Sequence, residues 1–409
     1  MPIKWKSGPR FKPGVILKRV RAVRTVSETG QSFFVGFDVH ECTPALQSML
    51  SFPDVAENVD RATLVWNALS NAPPDLSPET FLVAINRQLD ELLATKIEAY
   101  CVLTTISLLA PRSTFERTVE DCQITFLKGK FPAEFAKRES AVAQQSIPVK
   151  ETRADYCRVI VRVHAKSPQS SVSNALRALD LQRAVWCLYA NSDMEIAGQG
   201  WKPINVVKLG PIHTVHLADG ELATKSIWFE PNYAEVSSFD VGTGNYKKLS
   251  ADTFAKLQKS NYRRVLVEAL LKFVRALDER DQNTAFLKLW GAAESLLVPD
   301  HADYEKFVRR CSFLYKEREF HMQLLEHLRE YRNTSVHAGD ESDLAKTHCF
   351  QLQAFFRPLM LFHLHHSAEF SSLSEANDFL DLSPDPAALQ RKRYLLDKAI
   401  LFVSPPANS

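Results

Sequence analysis

The 409-residue chain has little glycine, 13 in all, and no repeated or low-complexity tract. That excludes collagen-like, Gly-rich disordered and repeat-array architectures. Its seven cysteines are scattered, and no two are spaced as a Cys-x-x-Cys pair. An odd, dispersed set argues against a disulfide framework or a zinc site and suits reduced core thiols. Long apolar runs are missing too. The longest streak, Ala184 to Ala190, is too short to span a bilayer, and the Met-Pro-Ile-Lys-Trp-Lys start carries no apolar signal core. The expectation is a cytoplasmic protein without a membrane part. An excess of one charge is also absent. The formal net charge is +2, so any attraction to nucleic acid must come from a local patch. What remains is ordinary globular material, 45% hydrophobic and 24% charged, long enough for two domains.

Residues 4–24 hold Lys4, Lys6, Arg10, Lys12, Lys18, Arg19, Arg21 and Arg24 with no acidic residue. From Val15 the charges interleave with apolar residues, Ser27 to Gly30 gives a turn signal, and Gln31 to Val39 reads as a partner strand. This predicts a β-hairpin with one basic face, either a solvated edge or a phosphate-tracking surface. Helical periodicity follows over 44–97, then strands near 96–108, 122–126 and 155–164. A helix over about 170–189 and short strands near 206–209, 213–217 and 226–229 complete a mixed α+β domain over residues 1–250. Its expected role is sensing or RNA recognition. Beyond Ser250 the stripes Leu266–Leu277, Phe286–Leu297, Tyr304–Tyr315 and Phe350–Met360 predict an all-α up-and-down bundle over 251–370. A short helical extension over 371–409 ends the chain.

Leu324, Leu325, Leu328 and Tyr331 recur at helical spacing, and Gly339 can end the helix they define. Near that end stand Arg332, Asn333 and His337. Arg332 and His337 point roughly 140° apart on an ideal helix. Asn333 and His337, at i and i+4, share a face. A fixed cation for phosphate, a titratable imidazole and an orienting amide make a kit for phosphodiester cleavage. The plainer alternative is that Arg332 and His337 only complement the negative end of the helix dipole. Arg158 with His164, and Arg357 with His363, match more loosely and lack the helix-end context. Glu294, inside the Phe286–Leu297 stripe, either reaches solvent or pairs with Arg332 or His337, because a buried lone carboxylate is costly. Arg309, Arg310 and Arg329 are candidate RNA contacts. His363 and His366 sit at i and i+3, but no metal site is expected from them.

The Arg-Asn-x-x-x-His motif, followed by Ala-Gly and preceded by Leu-Arg-Glu-Tyr, resembles the signature of the HEPN superfamily of helical bundles. Phe286 to Leu297 resembles the second helix of its Apea-like branch. The resemblance covers about residues 260–370. It implies a metal-independent endoribonuclease acting in antiviral defence or a toxin-like stress response, with RNA as substrate and no cofactor. Arg332, Asn333 and His337 would be catalytic. It also implies a homodimer that brings two motif helices together, with an antitoxin or trigger protein as a further partner. Such a dimer requires apolar surface beside the motif, expected from helix 262–277 or helix 343–366. The rival reading is a non-catalytic scaffold, binding RNA or protein, that dimerises through the bundle.

Overall fold

The computed structural model describes residues 2–27, 31–56, 59–145, 153, 155–191, 203–299, 303–337 and 344–403, without the side chains of Val336 and His337. The first unit comprises β1 (Lys4–Trp5), α1 (Pro13–Val23), β2 (Arg24–Val26), β3 (Ser32–Phe34), α2 (Asp38–Met49), β4 (Leu50–Ser51), α3 (Arg61–Asn71) and α4 (Pro78–Ala94). The hairpin expected from Val15 to Val39 is therefore mostly wrong: residues 15–23 are helical. Pro13 at the first turn pre-sets the helical φ, and Leu17 and Val20, three apart, bury the same face. Only the ribbon β2–β3 survives of the expected pairing, with Thr25 opposite Phe33. Arg24 follows α1, and its guanidinium donates to the carbonyls of Ser70, Ala72 and Pro73 at the end of α3. Ordinary side-chain caps start α3 and α4. Asp60 accepts from the Ala62 and Thr63 amides, and Ser77 from that of Thr80. These helices enclose a core of their own, built on Leu46, Leu69, Phe81 and Ile85.

The second unit starts with β5 (Glu98–Leu109), β6 (Phe115–Val119), β7 (Cys122–Leu127), α5 (Lys137–Ala143), β8 (Tyr156–Ala165), α6 (Pro168–Ala190), β9 (Ile212–Leu217) and β10 (Trp228–Phe229). The strands form one antiparallel sheet in the order β10-β9-β5-β8-β7-β6. β5 is central and buried on both faces: Val102 and Ile106 face the main core, while Cys101 and Leu103 join Phe135 and Ile160 behind it. Double coverage explains its continuous β-branched run. The expected strand at 206–209 forms no ladder. Gly210 donates to the Thr105 carbonyl at 2.7 Å, and a single bridge links Leu209 to Ile106.

α6 lies between the sheet and the remaining helices, and nearly every residue from Ala178 to Leu188 is buried. Ser167 and Ser170 cap its start reciprocally. Then come α7 (Tyr246–Lys259), α8 (Arg263–Ala276), α9 (Gln282–Leu297), α10 (Tyr304–Ser312), α11 (Arg318–His337), α12 (Ala345–His365), α13 (Leu373–Leu380) and α14 (Pro386–Val403). The protein is thus α+β with a predominantly helical C-terminal part. One hydrophobic cluster runs from Tyr100 on the sheet to Leu380 on α13. Sheet and helices share it, so the packing draws its line near residue 95 and residue 250 falls within a single core.

A buried ionic network joins α6 to α8. Arg183, fully enclosed, donates to Asp180 at 2.7 Å and to Asp278, with Val207's carbonyl at 3.3 Å. Lys208 lies 3.3 Å from Asp278, and Asn205 donates to the same carboxylate at 2.9 Å. Arg275 completes the set through Asp180 and Glu230. Three cations thus meet three carboxylates, and the surrounding cations hold the Asp278 carboxyl down to about 2 against the effect of its burial.

Candidate active site

α11 carries the motif because Leu325, Leu328 and Tyr331 pin one face of it to α9 and α12. Tyr331 stacks obliquely on Phe286, with ring centroids 4.8 Å apart, and its hydroxyl donates to the side-chain oxygen of Asn283. Tyr331 also lies 4.2 Å from the His348 ring of α12. With that face fixed, Arg332 is turned toward α10.

The Arg332 guanidinium sits 4.6 Å from the centroid of the Tyr304 ring, a cation–π contact at the first residue of α10. Asp303 sets that residue by capping α10 through the Lys306 amide. Behind Tyr304 lies Trp290, and Trp290 stacks on Phe307 at 4.1 Å and 15°. The aromatic wall therefore belongs to α9 and α10, and the half-buried Arg332 lies over its outer ring. Nη1 of Arg332 also donates to the Asn333 side-chain oxygen at 3.4 Å. Asn333 thus meets Arg332 in the described residues. Among those residues Arg332 forms no ion pair.

Glu294, one turn along α9 from Trp290, is partly buried. Burial raises its carboxyl above the usual range, opposed by the positive charges of Arg332 and Lys272. Its Oε1 has no hydrogen-bond partner. Glu294 thus feels Arg332 through space but neither carries Oε1 to solvent nor pairs with Arg332, unlike the two arrangements expected of it. His337 closes α11, but its side chain, like Ala338 and Gly339, lies outside the described residues.

Three candidate RNA contacts are engaged within the chain. Arg309 and Arg310 both bond to Asp381 at the end of α13, and Arg310 also donates to the Leu297 carbonyl. Arg329 pairs with Glu326 at 2.9 Å. The first two staple α13 onto α9 and α10. His363 is buried against the Tyr262 hydroxyl at 3.1 Å, and burial lowers its imidazole to about 3. His366 pairs instead with Glu369. Among the described residues no group of three or more His, Cys, Asp or Glu is placed to hold a metal ion, and no helix is long and apolar enough to cross a membrane.

Sequence reasoning missed Tyr304, Asn283 and His348. His348 Nε2 lies 3.3 Å from His327 Nε2, with its own Nδ1 buried and unbonded. Burial and the neighbouring His327 lower the His348 imidazole. An aromatic just after an Asp cap was the one available hint for Tyr304; nothing in the spacing marks the cross-helix pairs.

Among the described residues helix 262–277 exposes no large apolar side chain, and helix 343–366 exposes only Leu344, less than the apolar surface expected of them. α8 and α12 spend their apolar faces on each other and on α9, with Phe273 and Phe356 stacked at 4.8 Å. Leu344 is exposed just before α12, Phe320 is exposed at the opposite end of α11 from Arg332, and α14 shows Leu396, Leu401 and Phe402 to solvent.

No family model matches the chain, and no curated protein or solved structure matches it.

Proposed function

We propose that the protein is a metal-independent endoribonuclease of HEPN type, acting in antiviral defence or a toxin-like stress response. The observation that carries the reading is the state of Arg332. It is half-buried on an aromatic wall, beside a carboxyl that offers no ion pair, so its outward N–H groups remain available to a phosphate. The candidate residues with purely structural work, Arg309, Arg310 and Arg329, are by contrast paired within the chain.

In this reading the RNA 2′-hydroxyl loses its proton and attacks the adjacent phosphate, and the P–O5′ bond breaks as the departing 5′-oxygen takes a proton, leaving a 2′,3′-cyclic phosphate and a 5′-hydroxyl. His337 takes or gives a proton, and Arg332 binds the phosphate oxygens as charge builds on the phosphorane. Asn333 holds one edge of the Arg332 fork. Glu294, whose carboxyl burial raises above its usual range, feels that cation without an ion pair to it. One His cannot readily serve both proton transfers, and Arg332 and His337 diverge by roughly 140° on one helix. A homodimer that apposes two motif helices supplies both missing parts. Leu344, exposed just before α12, would contribute apolar surface to such a contact.

Mixing tests the composite site. Arg332→Ala and His337→Ala chains, each inactive alone, should regain part of the RNA cleavage when combined. Sedimentation as a monomer at micromolar concentration, together with full-rate cleavage, would remove the dimer from the reading. An antitoxin or trigger protein would be sought by its effect on the same cleavage.

A further inference from the structure

The basic segment 4–24 has a structure unlike the one its sequence suggests, and that structure sorts its charges. Arg24 is consumed by carbonyls at the end of α3, and Lys6 and Arg21 donate to the carbonyls of Ser48 and Asp75. Arg19 pairs with Asp38 at the start of α2. Lys12, just before α1, and Lys18 on it stand exposed with no side-chain partner among the described residues. Lys18 and Arg19 lie between Val15 and Ala22 on the exposed side of the helix, opposite the buried Leu17 and Val20.

That exposed side runs onto the ribbon β2–β3. The Val35 amide donates to the Val23 carbonyl at 2.8 Å, and Thr25 is the register partner of Phe33. Alternation then points Phe33 and Val35 one way, while Phe34 turns inward onto Trp66 at 5.2 Å. Phe33 is 51% exposed, Val35 66% and Phe37 83%. Phe37 immediately precedes Asp38, the partner of Arg19, so it sits at the edge of the same stripe. Its ring faces His40 at 6.4 Å, and His40 stacks on Trp66 at 5.8 Å. Among the described residues the nearby carboxylates include Asp38, already paired with Arg19, Glu41, and that of Asp75, whose carbonyl accepts from Arg21.

We propose that this stripe, from Lys12 along α1 to Phe33 and Phe37, binds single-stranded nucleic acid. Exposed rings give bases a face to stack on, and interleaved cations follow the phosphates, the combination that holds single strands without reading sequence. Helix and ribbon together extend about 25 Å, room for a strand of roughly four nucleotides or more. A membrane-binding face would instead gather its apolar groups on one side with cations at the rim. Here Lys18 and Arg19 stand among the apolar groups. The surface would supply substrate to the ribonuclease reading, yet it rests on binding alone.

The test uses the full chain and a fluorescent deoxy-oligonucleotide of about 20 nucleotides, long enough to cover one such site. Without a 2′-hydroxyl the probe cannot be cut by the proposed chemistry, so binding is read apart from cleavage. Anisotropy should show binding that weakens with salt. Phe33→Ser/Phe37→Ser should weaken it by about tenfold or more, and Lys12→Gln/Lys18→Gln should flatten the salt slope by about 1.4, or 0.7 per cation. Unchanged melting midpoints check that these exposed changes leave the fold intact. Equal affinity in the variants, or tighter binding to a duplex, overturns the proposal. So does binding to vesicles of anionic phospholipid with none to the oligonucleotide. A chain that binds the probe through these residues but never cuts RNA leaves this surface standing and removes the ribonuclease.

Discussion

Asp278→Ala tests how the helical part is fastened to the sheet. The carboxylate faces Arg183 and Lys208, both buried, and accepts from Asn205. Its removal leaves the network with three cations and two carboxylates, with Arg183 and Lys208 enclosed beside the gap. Breaking one partner of a buried pair costs about 3–5 kcal/mol, mostly the penalty of the charge left behind. For a cooperative unit of this size each kcal/mol moves the melting midpoint by roughly 2–3 °C, so a fall of about 6–15 °C is expected. Differential scanning calorimetry would read it. The companion variant Arg183→Met/Asp278→Leu removes one charge of each sign and refills the volume, and it should melt well above the single variant. If Asp278→Ala melts within a degree of the parent, or if the double variant is worse than the single, the network does not clamp α6 to α8 as described.

Burial lowers both His213 and His363 to about 3, so the folded protein keeps them neutral. Glu230 lies 3.9 Å from His213 Nε2, beyond hydrogen-bond reach and occupied by Arg275, so burial prevails. Unfolded imidazoles protonate near pH 6.5, so stability should hold above that pH and fall as pH drops from about 6.5 toward 3. A midpoint flat from pH 7.5 to 4.5 would contradict this. Gly210→Ala would place a Cβ 1.9 Å from the Thr105 hydroxyl oxygen on the central strand. Overpacking there should cost about 2 kcal/mol, read by urea unfolding, and a neutral outcome would mean that Thr105 is freer than its buried place implies. All seven cysteines are buried, and burial pushes the Cys187 and Cys311 thiols up to about 12. A thiol reagent should therefore stay idle with the native chain and react once urea is added; prompt native reaction would refute it.

The long helices were legible because their apolar stripes are periodic over many turns, as at Phe286–Leu297 and Leu266–Leu277. β5, β7 and β8 were legible from runs of β-branched residues. Residues 15–23 misled because Val, Leu and Ile interleaved with cations fit either period, and Pro13 decided for the helix. β6 escaped because Phe115 to Val119 is short and half polar. In the site, Arg332 and Asn333 were visible as a local motif. Tyr304, His348 and the intrachain pairing of Arg309 and Arg310 are products of helices meeting, which no spacing along the chain encodes.

The central claim is that this chain cuts RNA without metal through Arg332 and His337. Incubating the purified protein with total RNA in EDTA, beside Arg332→Ala and His337→Ala, tests it most directly. The account predicts cleavage by the parent that leaves 2′,3′-cyclic phosphate ends, and loss of cutting in both variants. Arg332→Ala gives up a cation–π contact worth about 0.5–1 kcal/mol, so its melting midpoint should stay within a few degrees of the parent's. A parent that leaves the RNA whole, or a variant that cuts at the parental rate, would contradict it.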